Sequence, residues 1–266
     1  MKTEAGLIAL FVAVTAVMLF IVPYDNKMRL KEEFGVLAKA AETDERAEYI
    51  IENIEQYPKE LLNIYYSRST EDNLDFVYNY PFNPYDWRSV AYTQEELNGE
   101  GVPALYMRDP RWAYAPCSGE FIKTQGCASV ALTMAYLRLR HDGSVTPPIV
   151  ANFADNNDCN GMMGGILTKK LPVVFDYFGF DYVEHIFDEE GCAPLTEQEL
   201  REAASRPDTV VYAALSGETF GGHAVIIRGC DETGFYINDP ANPENTEKVW
   251  DFEVFENELT RFYELS

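Results

Sequence analysis

The first pattern along the chain is an apolar run, Gly6 to Val22, interrupted only by Thr15. Its 17 residues, at about 1.5 Å of rise each, are just enough to cross a bilayer core as a helix. Lys2 precedes the run, Pro23 ends it, and Asp25-Asn26-Lys27 follows. Bulky Phe20, Ile21 and Val22 stand where a cleaved signal would carry small residues, so an uncleaved anchor is expected. Lys27, Arg29 and Lys31 after the run would, by the positive-inside rule, keep the rest of the chain in the cytoplasm. From 28 to about 80, Phe34, Leu37, Ile50, Ile51 and Ile54 recur at helical spacing with charges between them. Thr43-Asp44, Pro58 and Thr70 read as helix starts.

The texture changes after Val102. Residues 128–139 carry a strong helix pattern, closed by Arg138 and Arg140. Residues 150–164 are rich in Asn, Asp and Gly and read as a loop. Residues 166–178 read as a helix strained by Pro172. Thr196 through Glu199 looks like a capping box. Three short β-type runs follow, Thr209–Leu215, Ala224–Arg228 and Phe235–Asn238, the last two joined as a hairpin through the turn-rich stretch 229–234. Helices first and a small antiparallel sheet last make an α+β layout. The expected divisions are an anchor or signal segment over 1–27, a helical lead-in over 28–100 and a globular domain over 101–266.

Charge narrows the function. The chain has 266 residues and a net charge of −23, which argues against nucleic acid as a partner because little would neutralise a phosphate backbone. Neither a CxxC pair nor an HxxxH spacing occurs, so no zinc site and no cofactor is expected.

Three residues suggest chemistry by position. Cys127 follows Thr124-Gln125-Gly126 and opens a helix, where the positive end of the dipole and unpaired N–H groups favour the thiolate. The same N–H groups can hold an oxyanion, and Gly126 leaves room for a substrate backbone. The alternative is a small buried cysteine, the ordinary fate of a lone one. His223 follows Gly221-Gly222 at the mouth of an apolar strand, a suitable seat for a general base; a structural histidine is the plainer alternative. His141 and His185 are poorer candidates. If the last two strands pair as a hairpin, Asp239 returns beside His223, where its carboxylate can hold the ring Nδ1–H. Asn238 alternates to the opposite face.

The order Cys, His, Asp, from a helix start to two adjacent strands, follows the logic of papain-like thiol enzymes. At these residues the chain resembles the bacterial C-39-like peptidases, papain-fold cysteine enzymes related to the double-glycine leader peptidases. The likeness rests on Asp109-Pro110-Arg111-Trp112-Ala113, Gly126-Cys127-Ala128-Ser129, Gly222-His223-Ala224 and Asn238-Asp239-Pro240, and the stretch from Tyr57 to Tyr80 resembles the helical lead-in of such proteins. It covers roughly residues 55 to 260. It implies a papain-like fold, Cys127 as nucleophile, His223 as base, Asp239 as orienter, a peptide or protein substrate, and export. With the apolar run as anchor, the expected place is the cell membrane with the catalytic part outside, or secretion if the run is cleaved; this opposes the charge rule above.

The sequence also departs from that pattern. A glutamine often stands two residues before Asp-Pro-Arg-Trp, where it would help the oxyanion; here it is Met107, which cannot donate. Ala128 replaces a frequent glycine, and Gln125 is a substitute donor. Losing one oxyanion donor costs on the order of 10²–10³ in rate. This opens two further readings: a catalytically inactive peptide-binding module on the same fold, or a thiol acyl-transfer or amidase enzyme acting on cell-wall material. Cys117, Cys159, Cys192 and Cys230 could form two disulfides outside the cell or stay reduced.

Overall fold

A computed structural model describes residues 35–162 and 164–266. The apolar run at 6–22 lies outside the described residues, and among the described ones no helix is long and apolar enough to cross a membrane. The chain divides into two compact units after Asn83.

The first unit is helical. After helical residues 35–41 come α1 (Glu45–Glu52), α2 (Lys59–Ser67) and α3 (Glu71–Asn79). Asp44 and Thr70 are N-caps whose side chains accept from Arg46 N and Asn73 N, and Pro58 stands at the N-cap of α2. Each helix turns an apolar stripe inward, with Leu37, Ile50, Leu61 and Val77 fully buried.

The second unit begins with an irregular stretch and α4 (Gln94–Asn98), started by the capping box of Thr93 and Glu96. Arg111 ties the stretch down: it donates to Asp109, Glu96 and the Ala91 carbonyl, and lies over the buried Trp112 ring at 4.4 Å. A small hairpin, β1 (Pro116–Cys117) with β2 (Glu120–Phe121), leads into α5 (Ile122–Gln125) and α6 (Cys127–Arg140). Helix α6 is the centre of the unit; Val130, Ala131, Leu132, Met134, Ala135 and Leu137 are all fully buried.

Residues 150–164 are only partly the loop that their composition predicts, because α7 (Pro147–Asn156) occupies the first half. Pro147 and Pro148 fill its first turn, where a missing N–H costs nothing, and its Asn and Asp residues sit at its frayed end and surface. Pro172 likewise stands in the first turn of α8 (Leu171–Tyr177) and does not strain it. Thr196 caps α9 (Glu197–Ala204), but the Glu199 carboxylate engages His185 Nδ1 at 3.0 Å.

The sheet is larger than its apolar runs predict. Six antiparallel strands are ordered β3-β8-β4-β5-β6-β7: β3 (Tyr182–Ile186), β4 (Val210–Leu215), β5 (His223–Asp231), β6 (Gly234–Asn238), β7 (Val249–Trp250) and β8 (Leu259–Leu265). Strand β3 is half-exposed, and in β8 Arg261 and Glu264 interrupt the buried Leu259, Phe262, Tyr263 and Leu265, so neither strand has a continuous apolar run; charged residues pair across the two. Glu184 meets Arg261 at 2.8 Å, and His185 Nε2 meets the buried Glu264 at 3.0 Å. Strand β4, with all six residues buried, is covered on both faces. One face (Val210, Tyr212, Ala224, Ile226) packs against α6. The other (Val211, Ala213, Val225, Ile227, Phe235) packs against Leu200 of α9 and Phe255 of α11 (Phe252–Glu258), which follows α10 (Pro243–Glu247). This packing fixes the start of α6 against the β4–β5 end of the sheet.

Candidate functional site

Cys127 is the first residue of α6, and the helix start carries no side-chain cap, so its first N–H groups are left for the thiol and for whatever occupies the cleft. Gly126 is required for a different reason from the one its sequence context suggests. A Cβ there would lie 2.6 Å from the Ile122 carbonyl oxygen, so the close neighbour is the preceding turn of its own chain.

His223 opens β5 directly after Gly221, at φ +64°, and Gly222. The hairpin predicted from the sequence is present, with Ile226 opposite Asn238 and Ile227 opposite Ile237. It brings Asp239, one residue past β6, to His223: Nε2 lies 2.7 Å from Asp239 Oδ1. The ring nitrogen that meets Asp239 is thus Nε2 and not the expected Nδ1, which leaves Nδ1 free to face the Cys127 sulfur, whose pKa the imidazole lowers. The Asp239 side chain is 2% exposed and that of His223 10%. Asn238 faces away and donates to the Val102 carbonyl at 2.9 Å, tying the sheet to the stretch before Trp112.

Burial opposes ionisation of the Cys127 thiol, but the hydrogen bond and charge of His223, with the N–H groups of Ala224 and Ala128, outweigh it and hold the thiol below its ordinary value. Burial likewise opposes protonation of His223, and Asp239 and the Cys127 sulfur together push the imidazole up. Both shifts favour a thiolate–imidazolium pair. Burial would raise the Asp239 carboxyl, yet His223, Asn245 and the Ala241 N–H hold it down.

The sequence reading missed Asn245. Its Nδ2 donates to Asp239 Oδ2 at 2.7 Å, while the N–H groups of Ala241 and Asn242 bond Oδ1. Asn245 lies in α10 among other polar residues, and the only signal was its place six residues after Asp239. Glu258, at the end of α11, was also missed. It is buried, and its carboxylate accepts from the N–H groups of Thr219 (2.7 Å) and Phe220 (3.0 Å). It thus holds the segment that delivers His223. The Phe220 ring runs nearly parallel to the imidazole, at 12° and 6.1 Å.

The pair opens on a cleft of about 730 Å³, lined among others by Met107, Gln125, Leu171, Tyr212 and Ala214. Met107 is 6% exposed, and its backbone N–H bonds the Pro240 carbonyl at 2.8 Å. A thioether there offers the cleft no donor. The Gln125 amide lies against Gly164, close enough that a Cβ on that glycine would come within 2.3 Å of its oxygen. The other two histidines are engaged elsewhere: His141 Nδ1 with the Leu97 carbonyl, and His185 between Glu199 and Glu264. All five cysteines are free. Among the described residues no cluster of three metal-ligating side chains occurs.

The profile of the Peptidase_C39-like family matches residues 114–266. No curated protein matches the chain. Two solved structures are similar. One is the peptidase domain of Streptococcus ComA, a bifunctional ABC transporter involved in a quorum-sensing pathway: 16% identity, 54% of this chain and 92% of that one, TM-score 0.38. The other is a candidate C39-like peptidase from Bacillus anthracis: 15% identity, 63% of this chain and 96% of that one, TM-score 0.37.

Proposed function

Because the chain belongs to the Peptidase_C39-like family, with its mixed helix-and-sheet fold and cysteine-peptidase type of function, we propose that it hydrolyses peptide bonds through Cys127, His223 and Asp239. The observation that carries this reading is the His223 imidazole bonded to Asp239 at 2.7 Å and close enough to the Cys127 sulfur for each to shift the other's ionisation.

The Cys127 thiolate attacks the scissile carbonyl carbon, and the electron pair of the C=O bond moves to oxygen. The start of α6 faces that developing charge with backbone N–H groups. The Gln125 amide takes the donor role that Met107 cannot fill. The His223 imidazolium then gives its proton to the leaving amine, the C–N bond breaks, and a thioester to Cys127 remains. Water, deprotonated by the neutral imidazole, attacks the thioester and restores the thiolate and the imidazolium. Asp239 keeps the ring oriented and stabilises its positive charge throughout. We extend the reading to the apolar run at 6–22 as a membrane anchor, with the catalytic unit outside the cytoplasm.

Met107 favours a second reading, a peptide-binding module without turnover. The two separate with a peptide probe carrying a thiol-reactive end group. The hydrolase reading predicts labelling of Cys127 that is lost in His223→Ala, and cleavage within a peptide library that falls on the order of 10⁴-fold in Cys127→Ala. Retention of peptides with no labelling and no cleavage would leave the binding module.

A further inference from the structure

Gln125 is the last residue of α5 and lines the same cleft as Cys127. Its backbone is fixed. The Gly126 N–H that follows it donates to the Ile122 carbonyl, and its own carbonyl accepts from the Cys117 thiol at 3.5 Å. Its side-chain amide has no hydrogen-bond partner among the described residues. What holds the amide is Gly164. A Cβ on that glycine would come within 2.3 Å of the amide oxygen, 2.5 Å of its carbon and 2.9 Å of its nitrogen. The whole amide therefore rests on a bare Cα, in space that any side chain would occupy.

Gly164 is itself held in place. Its N–H donates to the Gly161 carbonyl at 3.1 Å, and the Gly161 N–H donates to the Gly165 carbonyl at 2.9 Å. The Gly165 N–H donates to Oγ of Ser118, in the turn between β1 and β2, at 3.1 Å. Gly164 and Gly165 stand at φ +88° and +69°, where a side chain is strained. They differ in one respect: a Cβ on Gly165 meets the Gln125 backbone oxygen at an ordinary 3.9 Å. Both positions need a positive φ, and of the two Gly164 also needs empty space.

We propose that Gly164 is the positioning residue of the oxyanion donor: its missing side chain leaves the seat that holds the Gln125 amide in the cleft. With the seat filled, the amide moves, and a displacement of about 1 Å at a reacting centre can cost 10²-fold in rate. The inference rests on the proposed hydrolysis and extends it from the residue that donates to the residue that aims it.

The test is a double-mutant cycle of Gln125→Ala and Gly164→Ala, with Gly165→Ala as the measure of backbone strain alone. Values of kcat and KM are read on a peptide that the library shows to be cleaved. Alkylation of Cys127 by iodoacetamide is read on the same proteins, because that reagent loses iodide from a saturated carbon and builds no oxyanion. The expected result is a fall in kcat of about 10²-fold in Gln125→Ala and in Gly164→Ala, with no further fall in the double variant. KM and the alkylation rate should change little, and Gly165→Ala should lose clearly less kcat than Gly164→Ala. Melting temperatures give the same cycle without turnover. Gly164→Ala should cost less stability in the Gln125→Ala protein, where the new Cβ finds room, so a Gly164→Ala protein that failed to fold would be recovered in the double variant. An unchanged kcat in Gln125→Ala, losses that add in the double variant, equal losses in the two glycine variants, alkylation that falls with kcat, or a stability cost that Gln125→Ala does not relieve would each overturn the role of Gly164. No cleavage by the unaltered protein, with Cys127 still reactive, would overturn the hydrolase reading and the donor role with it.

Discussion

At the residue scale, the site depends on a carboxylate satisfied on every side. Asp239 accepts from His223, Asn245 and two backbone N–H groups. Charge-assisted bonds of this kind hold the carboxyl ionised, and its pKa below the unfolded value of about 3.9. It therefore contributes stability that is present above the unfolded value and is lost as pH falls through the folded one. Asn245→Ala removes the donor on Oδ2 and raises the folded value, so acid unfolding, followed by circular dichroism, should begin at higher pH. At pH 7 the variant should lose about 1–3 kcal/mol, with a fall in turnover of roughly tenfold or less because His223 keeps its own bond. Unchanged acid unfolding would show that Asn245 does not hold Asp239. Cys127, His223 and Asp239 were legible in the sequence because each sits at a boundary: a helix start, a glycine pair opening a strand, and a strand end. The ring nitrogen facing Asp239 was not legible, since it depends on how the imidazole turns between two partners. Asn245 was hidden because nothing marks one polar helix residue among several.

At the element scale, the segment between β4 and β5 carries His223 and has little apolar burial of its own; Gly217, Gly221 and Gly222 make it pliable. Glu258 supplies the rigidity, through two N–H bonds and through its side chain lying where a Cβ on Gly217 would come within 2.3 Å of it. Burial raises the Glu258 carboxyl, but the Thr219 and Phe220 donors hold it below the ordinary value. Glu258→Ala should leave those N–H groups unpaired, speed their hydrogen exchange and lower kcat more than it raises KM. Glu258→Gln, which keeps one acceptor oxygen, should restore part of kcat. Equal kcat in all three proteins would remove Glu258 from the positioning of His223. Strand β3 is half-exposed and β8 sets Arg261 and Glu264 among its buried apolar residues, so neither shows a continuous apolar run or clean alternation, and α7 begins with two prolines that read as loop punctuation unless placed in a first turn.

At the scale of the whole molecule, the described residues form one helical unit up to Asn83 and one mixed unit beyond it, and the family match lies within the second. Net charge is −23, so a membrane surface rich in anionic lipid would repel the body of the protein, and the proposed attachment would rest on the apolar run at 6–22. The proposed anchor predicts that the full chain sediments with membranes and resists release by high salt, and that a chain starting at residue 28 stays in the supernatant. Equal partition of the two would remove the anchor. The α+β class and the hairpin were readable from local patterns, whereas the six-stranded order depends on pairings between residues as far apart as Tyr182 and Leu265, which no local pattern encodes.

The central claim is that His223 keeps the Cys127 sulfur ionised, and the pH dependence of iodoacetamide alkylation tests it most directly. The rate is read at Cys127 by peptide mass spectrometry, with the exposed Cys192 as internal reference. The account predicts a Cys127 midpoint below the free-thiol value of about 8.5, with reactivity persisting at neutral pH, and a higher midpoint in His223→Ala, where only the Ala224 and Ala128 N–H groups are left to oppose burial. A Cys127 midpoint no lower than that of Cys192, and unmoved by His223→Ala, would contradict it.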